Sequence, residues 1–235
     1  MRLKVVMTAL AISMFWALQL FAGSKIIDRI DIDLALEKAP EVEYSRGKDP
    51  TAKIESVNRW LVIRIWYTID KENFKVPVLQ KKSNSYNLQL NGFADDLGVR
   101  VKVLQNTGLQ ASGKALYGLY TGETAFYSVR RDGRKHLVMM FIPGKLLDRF
   151  SRSSNGQIRA SSKSDFKVEV VFTVAGRDVG KAYSGGDAKL FKEAMQMVPE
   201  NMVFKGGVFP RSRTPWAFRG MDDFDVEKEL PGGKY

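Results

Sequence analysis

The chain has 235 residues, a formal net charge of +11, one histidine and no cysteine. The missing cysteine excludes disulfides, thiolate metal sites and cysteine nucleophiles, so a folded domain here is held by packing alone. The length suits one full domain after any leader, and the positive balance points to an anionic partner or to a solvated basic surface.

Arg2 and Lys4 precede an uncharged run over residues 5–22 (VVMTALAISMFWALQLFA), followed by Gly23-Ser24-Lys25. A positive start, an apolar stretch and small residues at its end read as an export signal, with cleavage after Ala22 or, better by the small-x-small rule, after Ser24. The alternative is an uncleaved anchor, since about 18–20 apolar residues can span a hydrocarbon core. Export without cysteine or an Asn-x-Ser/Thr acceptor points to a bacterial envelope: periplasm, outer-membrane surface or medium.

Residues 26–36 alternate Ile30, Ile32, Leu34 and Leu36 with Arg29, Asp31, Asp33 and Ala35, the period of a half-buried strand. Residues 37–52 carry Pro40, Gly47 and Pro50 among charges and read as a connection. Residues 60–69 (WLVIRIWYTI) have two apolar faces, which predicts a central strand in which Arg64 needs a partner or a solvated rim. Pro77 marks residues 74–80 as an edge strand, and residues 99–104 (VRVKVL) alternate cleanly.

Residues 123–130 and 136–142 flank Arg131-Asp132-Gly133-Arg134, and Asp-Gly between two such runs predicts a hairpin. Pro143 ends the second strand and opens a helical turn over 144–150. Residues 151–164 read as a Ser-rich loop, and residues 166–174 and 179–183 as a second hairpin turned by residues 175–178. Residues 187–198 predict a helix capped by Asp187, with Leu190, Phe191, Ala194, Met195 and Val198 on its apolar face. The tail then holds Phe209-Pro-Arg-Ser-Arg-Thr-Pro-Trp-Ala-Phe218 and an acidic stretch from Asp222 to Glu229.

About seven to nine strands and one late helix give a mainly β chain: an immunoglobulin-like antiparallel β-sandwich. Residues 1–24 form the signal peptide or anchor, 25–198 the sandwich with its C-terminal helix, and 199–235 an extended tail packing on the domain or projecting from it.

No recognised chemistry fits. His136 has no second histidine and no carboxylate at ligand spacing, and reads as a strand-end surface residue. Asp28, Asp31 and Asp33 lack the glycine and closing Glu of a calcium loop. Ser45-x-x-Lys48 and Ser164-x-x-Lys167 lack the companion motifs of a penicillin-binding site, and Gly176–Ala182 is one residue short of a phosphate loop. The expectation is a non-enzymatic chain without cofactor or metal.

Two groups are candidates for partner contact. The first is Arg131, Arg134 and Lys135 with Arg130; Arg149, Arg152, Arg159 and Lys163 join them if their loops share one end of the sandwich. The second is Arg211, Arg213 and Trp216, the composition of a binding anchor, unless Trp216 and Phe218 tuck back onto the sandwich.

The tryptophan-rich strand 60–69, Thr121-Gly122-Glu123, the Phe-Lys-Val-Glu-Val run at 166–170 and Thr214-Pro215-Trp216 together resemble the immunoglobulin-like envelope proteins encoded with type IV pilus-like systems in Verrucomicrobia. The resemblance implies a structural or adhesive role with envelope or pilus-like proteins as partners, and assigns no site residues. An anionic glycan, wall polymer or lipid surface is the second partner class; nucleic acid is not expected.

Overall fold

The structure, a computed structural model, describes residues 26–40, 59–69, 93–150 and 162–218. The leader, the Pro77 strand, most of the Ser-rich loop and the acidic stretch lie outside the described residues.

A four-stranded sheet has the order β1 (Ile27–Lys38), β2 (Arg59–Ile69), β5 (Lys135–Ile142), β9 (Phe209–Pro210). A five-stranded sheet has the order β7 (Arg177–Tyr183), β6 (Phe166–Val174), β3 (Phe93–Ala111), β4 (Lys114–Arg130), β8 (Val203–Phe204). Among the described residues, every pairing is antiparallel except β4 with β8. Taking the first seven strands as A, B, C, C′, E, F and G gives sheets A-B-E and G-F-C-C′, the immunoglobulin-like arrangement.

Alternation builds the core. Leu61, Ile63, Ile65, Tyr67 and Ile69 of β2 meet Val99, Val101 and Val103 of β3 and Val168, Val170 and Phe172 of β6 in one buried cluster. The second apolar face of β2 is used as well. Val62 lies with Phe141 and Trp216 in a small outer core. Arg64 on that face pairs with Asp33, at 3.2 Å, and with Glu37.

Helix α1 (Gly144–Phe150) follows Pro143, and α2 (Ala188–Met195) begins at Asp187, whose Oδ1 accepts from the Lys189 and Leu190 amides at 2.8 and 3.0 Å. Phe191 and Ala194 of α2 cover Leu104 and Leu119 on the outside of the five-stranded sheet. Leu190 departs from the predicted apolar face and is 49% exposed.

One hairpin moves. β4 and β5 belong to different sheets, so Asp132-Gly133 turns the chain across the sandwich and does not join paired strands. The β3–β4 hairpin instead turns at Ser112-Gly113, where φ is 51° and 77°, the left-handed pair of a tight hairpin turn. The predicted β6–β7 hairpin is present, tightened to Ala175-Gly176 with φ of 48° and 76°.

The segment after α2 closes one side. The Tyr117 amide donates to Met197 O at 3.2 Å, and β8 runs beside Leu119 and Tyr120. The Val208 amide donates to Thr121 O at 3.2 Å, and β9 then pairs with Met140 and Phe141 in the other sheet. Gly122 is required at this crossing, because a Cβ there would lie 2.0 Å from Val208 O.

Candidate functional site

The cationic group on the β4–β5 connection is organised by Asp132. Its Oδ1 accepts from the Arg134 amide at 2.8 Å, and its carboxylate lies 3.9 Å from Arg134 Nε and 3.4 Å from His136 Nε2. Burial works to raise the Asp132 pKa, but the Arg134 amide and the His136 and Arg134 charges outweigh it and hold the carboxyl below its ordinary value. His136 is therefore not the strand-end surface residue expected from sequence. Its side chain is 11% exposed, and its ring stacks on Tyr67 with centroids 5.3 Å apart.

The larger basic patch does not assemble. Arg131, Arg134 and Lys135 stand before or at the start of β5, whereas Arg149 and Lys163 come after its far end. Eight extended residues separate the two groups by about 26 Å. Arg149 lies over the Phe204 ring at 5.2 Å, and Lys163 Nζ is 4.0 Å from Asp33 Oδ1. Arg152 and Arg159 lie outside the described residues.

Trp216 is not an exposed anchor. It is buried, stacked on Phe141 at 4.7 Å and edge-on to Trp60 at 5.3 Å. Arg211 is buried too, and its Nε donates to Trp216 O at 3.0 Å. Both hold the closing segment onto the outer face of the four-stranded sheet, while Arg213 is exposed. The same residue types serve packing because the single helical turns Arg211–Arg213 and Pro215–Phe218 carry Trp216 onto Val62 and Phe141.

Two features carry interaction chemistry that the sequence did not single out. The first is the free side of β4. Among the described residues, no strand pairs with that side beyond Tyr120, so residues 123–130 lie along a sheet edge past the Val208 crossing. Tyr127 is 59% exposed on it, and Phe93, opposite Arg130, is 45% exposed.

The second is a cleft of about 330 Å³ on the opposite side of the sandwich. Ile32 and Leu34 of β1, Phe166 of β6 and Leu190 and Phe191 of α2 supply apolar walls; Lys163, Lys167, Ser184 and Asp187 supply the polar ones. Its origin is topological. Gly180 of β7 lets Ile27 approach closely, a Cβ there meeting Ile27 Cβ at 2.7 Å, but β7 ends at Tyr183 while β1 continues to Lys38.

Among the described residues, no three His, Asp or Glu side chains gather as a metal site, and no helix is long and apolar enough to cross a membrane.

No protein-family model matches the chain, and no curated protein sequence is similar to it. Its fold is similar to a crystal structure from Akkermansia muciniphila, a member of the Verrucomicrobia, with a TM-score of 0.54 and 14% identity over 86% of this chain and 96% of that one. At that identity the likeness is one of fold.

Proposed function

We propose that this chain is an exported, non-enzymatic sandwich protein of a bacterial envelope that joins a pilus-like or other surface assembly by strand addition. The open side of β4 carries this reading. Extended partners dock on such edges through main-chain hydrogen bonds, with alternate side chains giving specificity. The charged start and apolar run of residues 1–22 support export, and the fold shared with a Verrucomicrobial protein supports the bacterial setting.

The test is crosslinking in the native envelope, comparing wild type with A125K/Y127K, whose lysines obstruct the edge without entering the core. The reading expects defined crosslinked species with envelope proteins that the variant loses. Identical species from both proteins, or a monomer alone from wild type, overturns it.

The net charge of +11 favours a second reading, attachment to an anionic glycan, wall polymer or lipid surface. It expects retention on such a polymer that falls with salt; retention indifferent to salt rejects it.

A further inference from the structure

The acidic stretch near the C-terminus has an order that its charge alone does not require. Asp223, Asp225, Glu227 and Glu229 occupy alternate positions, and Phe224, Val226 and Leu230 lie on the other parity with Lys228. Period two gives an amphipathic strand with one acidic side and one largely apolar side.

The cleft between β1 and α2 is complementary to that pattern. Its walls are Ile32, Leu34, Phe166, Leu190 and Phe191, and Lys163 and Lys167 are the cations at its margin. The acidic groups there are already engaged: Asp187 caps α2, and Asp33 pairs with Arg64 and faces Lys163. Leu190 is half exposed, and no atom lies within 4 Å of a Cβ built on Gly185, which leaves room for an approaching chain. Among the described residues, β1 pairs only with β2, so its outer side is a free edge along the cleft.

The connection is short enough. Ala35 packs with the Trp216 cluster on the outer face of β1, and the preceding residue, Leu34, lines the cleft on the inner face. Residues 218 to 224 reach about 20 Å when extended, twice the spacing of about 10 Å between two packed sheets.

We propose that this cleft is a strand-accepting site and that the chain's own residues 222–230 occupy it, with Phe224 and Val226 against Leu190 and Phe166 and the acidic side toward Lys163 and Lys167. The cleft lies on the seam opposite the free side of β4, so either site can fail without the other.

A fluorescent peptide of residues 219–235 tests the proposal by anisotropy against the full-length protein and its variants. Wild type, whose own segment competes at the roughly millimolar effective concentration of a short tether, binds the peptide weakly. F224S/V226S, with its own segment released, binds it about tenfold more tightly or better. Adding Leu190→Asp to that variant abolishes binding, and K163E/K167E serves as the independent check if Leu190→Asp unfolds the protein. Equal affinity for wild type and F224S/V226S, or no binding to either, overturns the proposal. So does loss of binding on Trp66→Ser with retention on Leu190→Asp, which places the peptide on the outer face of the four-stranded sheet.

Discussion

The two seams of the sandwich are finished differently. Between β4 and β5 the closing segment crosses from one sheet to the other, adds a two-residue strand to each and ends with Trp216 buried against Phe141. Between β1 and β7 the sheets touch at Ile27 and Gly180 and then part, leaving Ile32 and Leu34 on the wall of a cleft. The aromatic, proline-rich segment that has the composition of a binding anchor is spent on packing. Among the described residues, the backbone left for a partner is at the open edge of β4, and the apolar wall left uncovered is at the seam between β1 and β7.

The comparison is broken most forcefully at the closed seam. Trp216→Ala removes a buried indole from two aromatic contacts and is expected to cost about 3–5 kcal/mol in urea unfolding. A cost below about 1 kcal/mol would mean that the segment lies on the sandwich without closing it. Gly122→Ala drives a Cβ into Val208 O and is expected to cost about 1–3 kcal/mol, read as a lower melting temperature.

The strand that borders the open seam, β7, is tied to its own sheet by an ion-pair cluster on the outer face. Glu169 of β6 lies 2.5 Å from Lys181 Nζ of β7 and 3.3 Å from Lys102 Nζ of β3, with only 7% of its side chain exposed. Burial acts to raise its pKa, but the Lys181 hydrogen bond and the two lysine charges outweigh this and hold the carboxyl below its ordinary 4.5. A carboxyl lowered in the folded state stabilises fully above its unfolded pKa, and that contribution is lost as pH falls through the folded value. Stability should therefore drop below about pH 4.5 in wild type. Glu169→Gln should flatten that acid limb and cost about 1–3 kcal/mol at neutral pH. An unchanged acid limb in the variant would remove Glu169 from the account.

The smallest effect belongs to the cleft. In the F224S/V226S background, where the acidic segment is released, Leu190→Ser at a half-exposed wall position should change stability by no more than about 0.5 kcal/mol, as for surface substitutions, measured in the same urea series as Trp216→Ala. A loss close to that of Trp216→Ala would make the cleft wall part of the core and erase the distinction between the seams.

Much of the fold is legible because alternation is a local signal. Residues 60–69 announce a strand covered on both faces, and Asp187 followed by Phe191 and Ala194 announces a capped helix. Which sheet a strand joins is not local. Asp132-Gly133 is a genuine turn with an Asp132-to-amide bond, yet the next strand lies across the sandwich, since the turn fixes direction only over its own few residues. Ser112-Gly113 carries a hairpin signal, but it sits inside one long run of alternating residues from 93 to 130 whose period does not mark where the chain reverses. The two-residue strands β8 and β9 are too short for any period to show. The cleft was illegible for a further reason: Ile32 and Leu34 meet Phe166 and Leu190 from far along the chain, and only topology brings them together.

Native-state hydrogen exchange tests most directly whether one seam is closed and the free side of β4 is not. The amides of Tyr117 and Val208, bonded to Met197 O and Thr121 O across the closing segment, are predicted to show protection approaching that of the central strands β2 and β3. The outward amides of residues 123–126 and 128–130 should exchange orders of magnitude faster. Rapid exchange at Val208, or uniform protection along both sides of β4, would contradict the account.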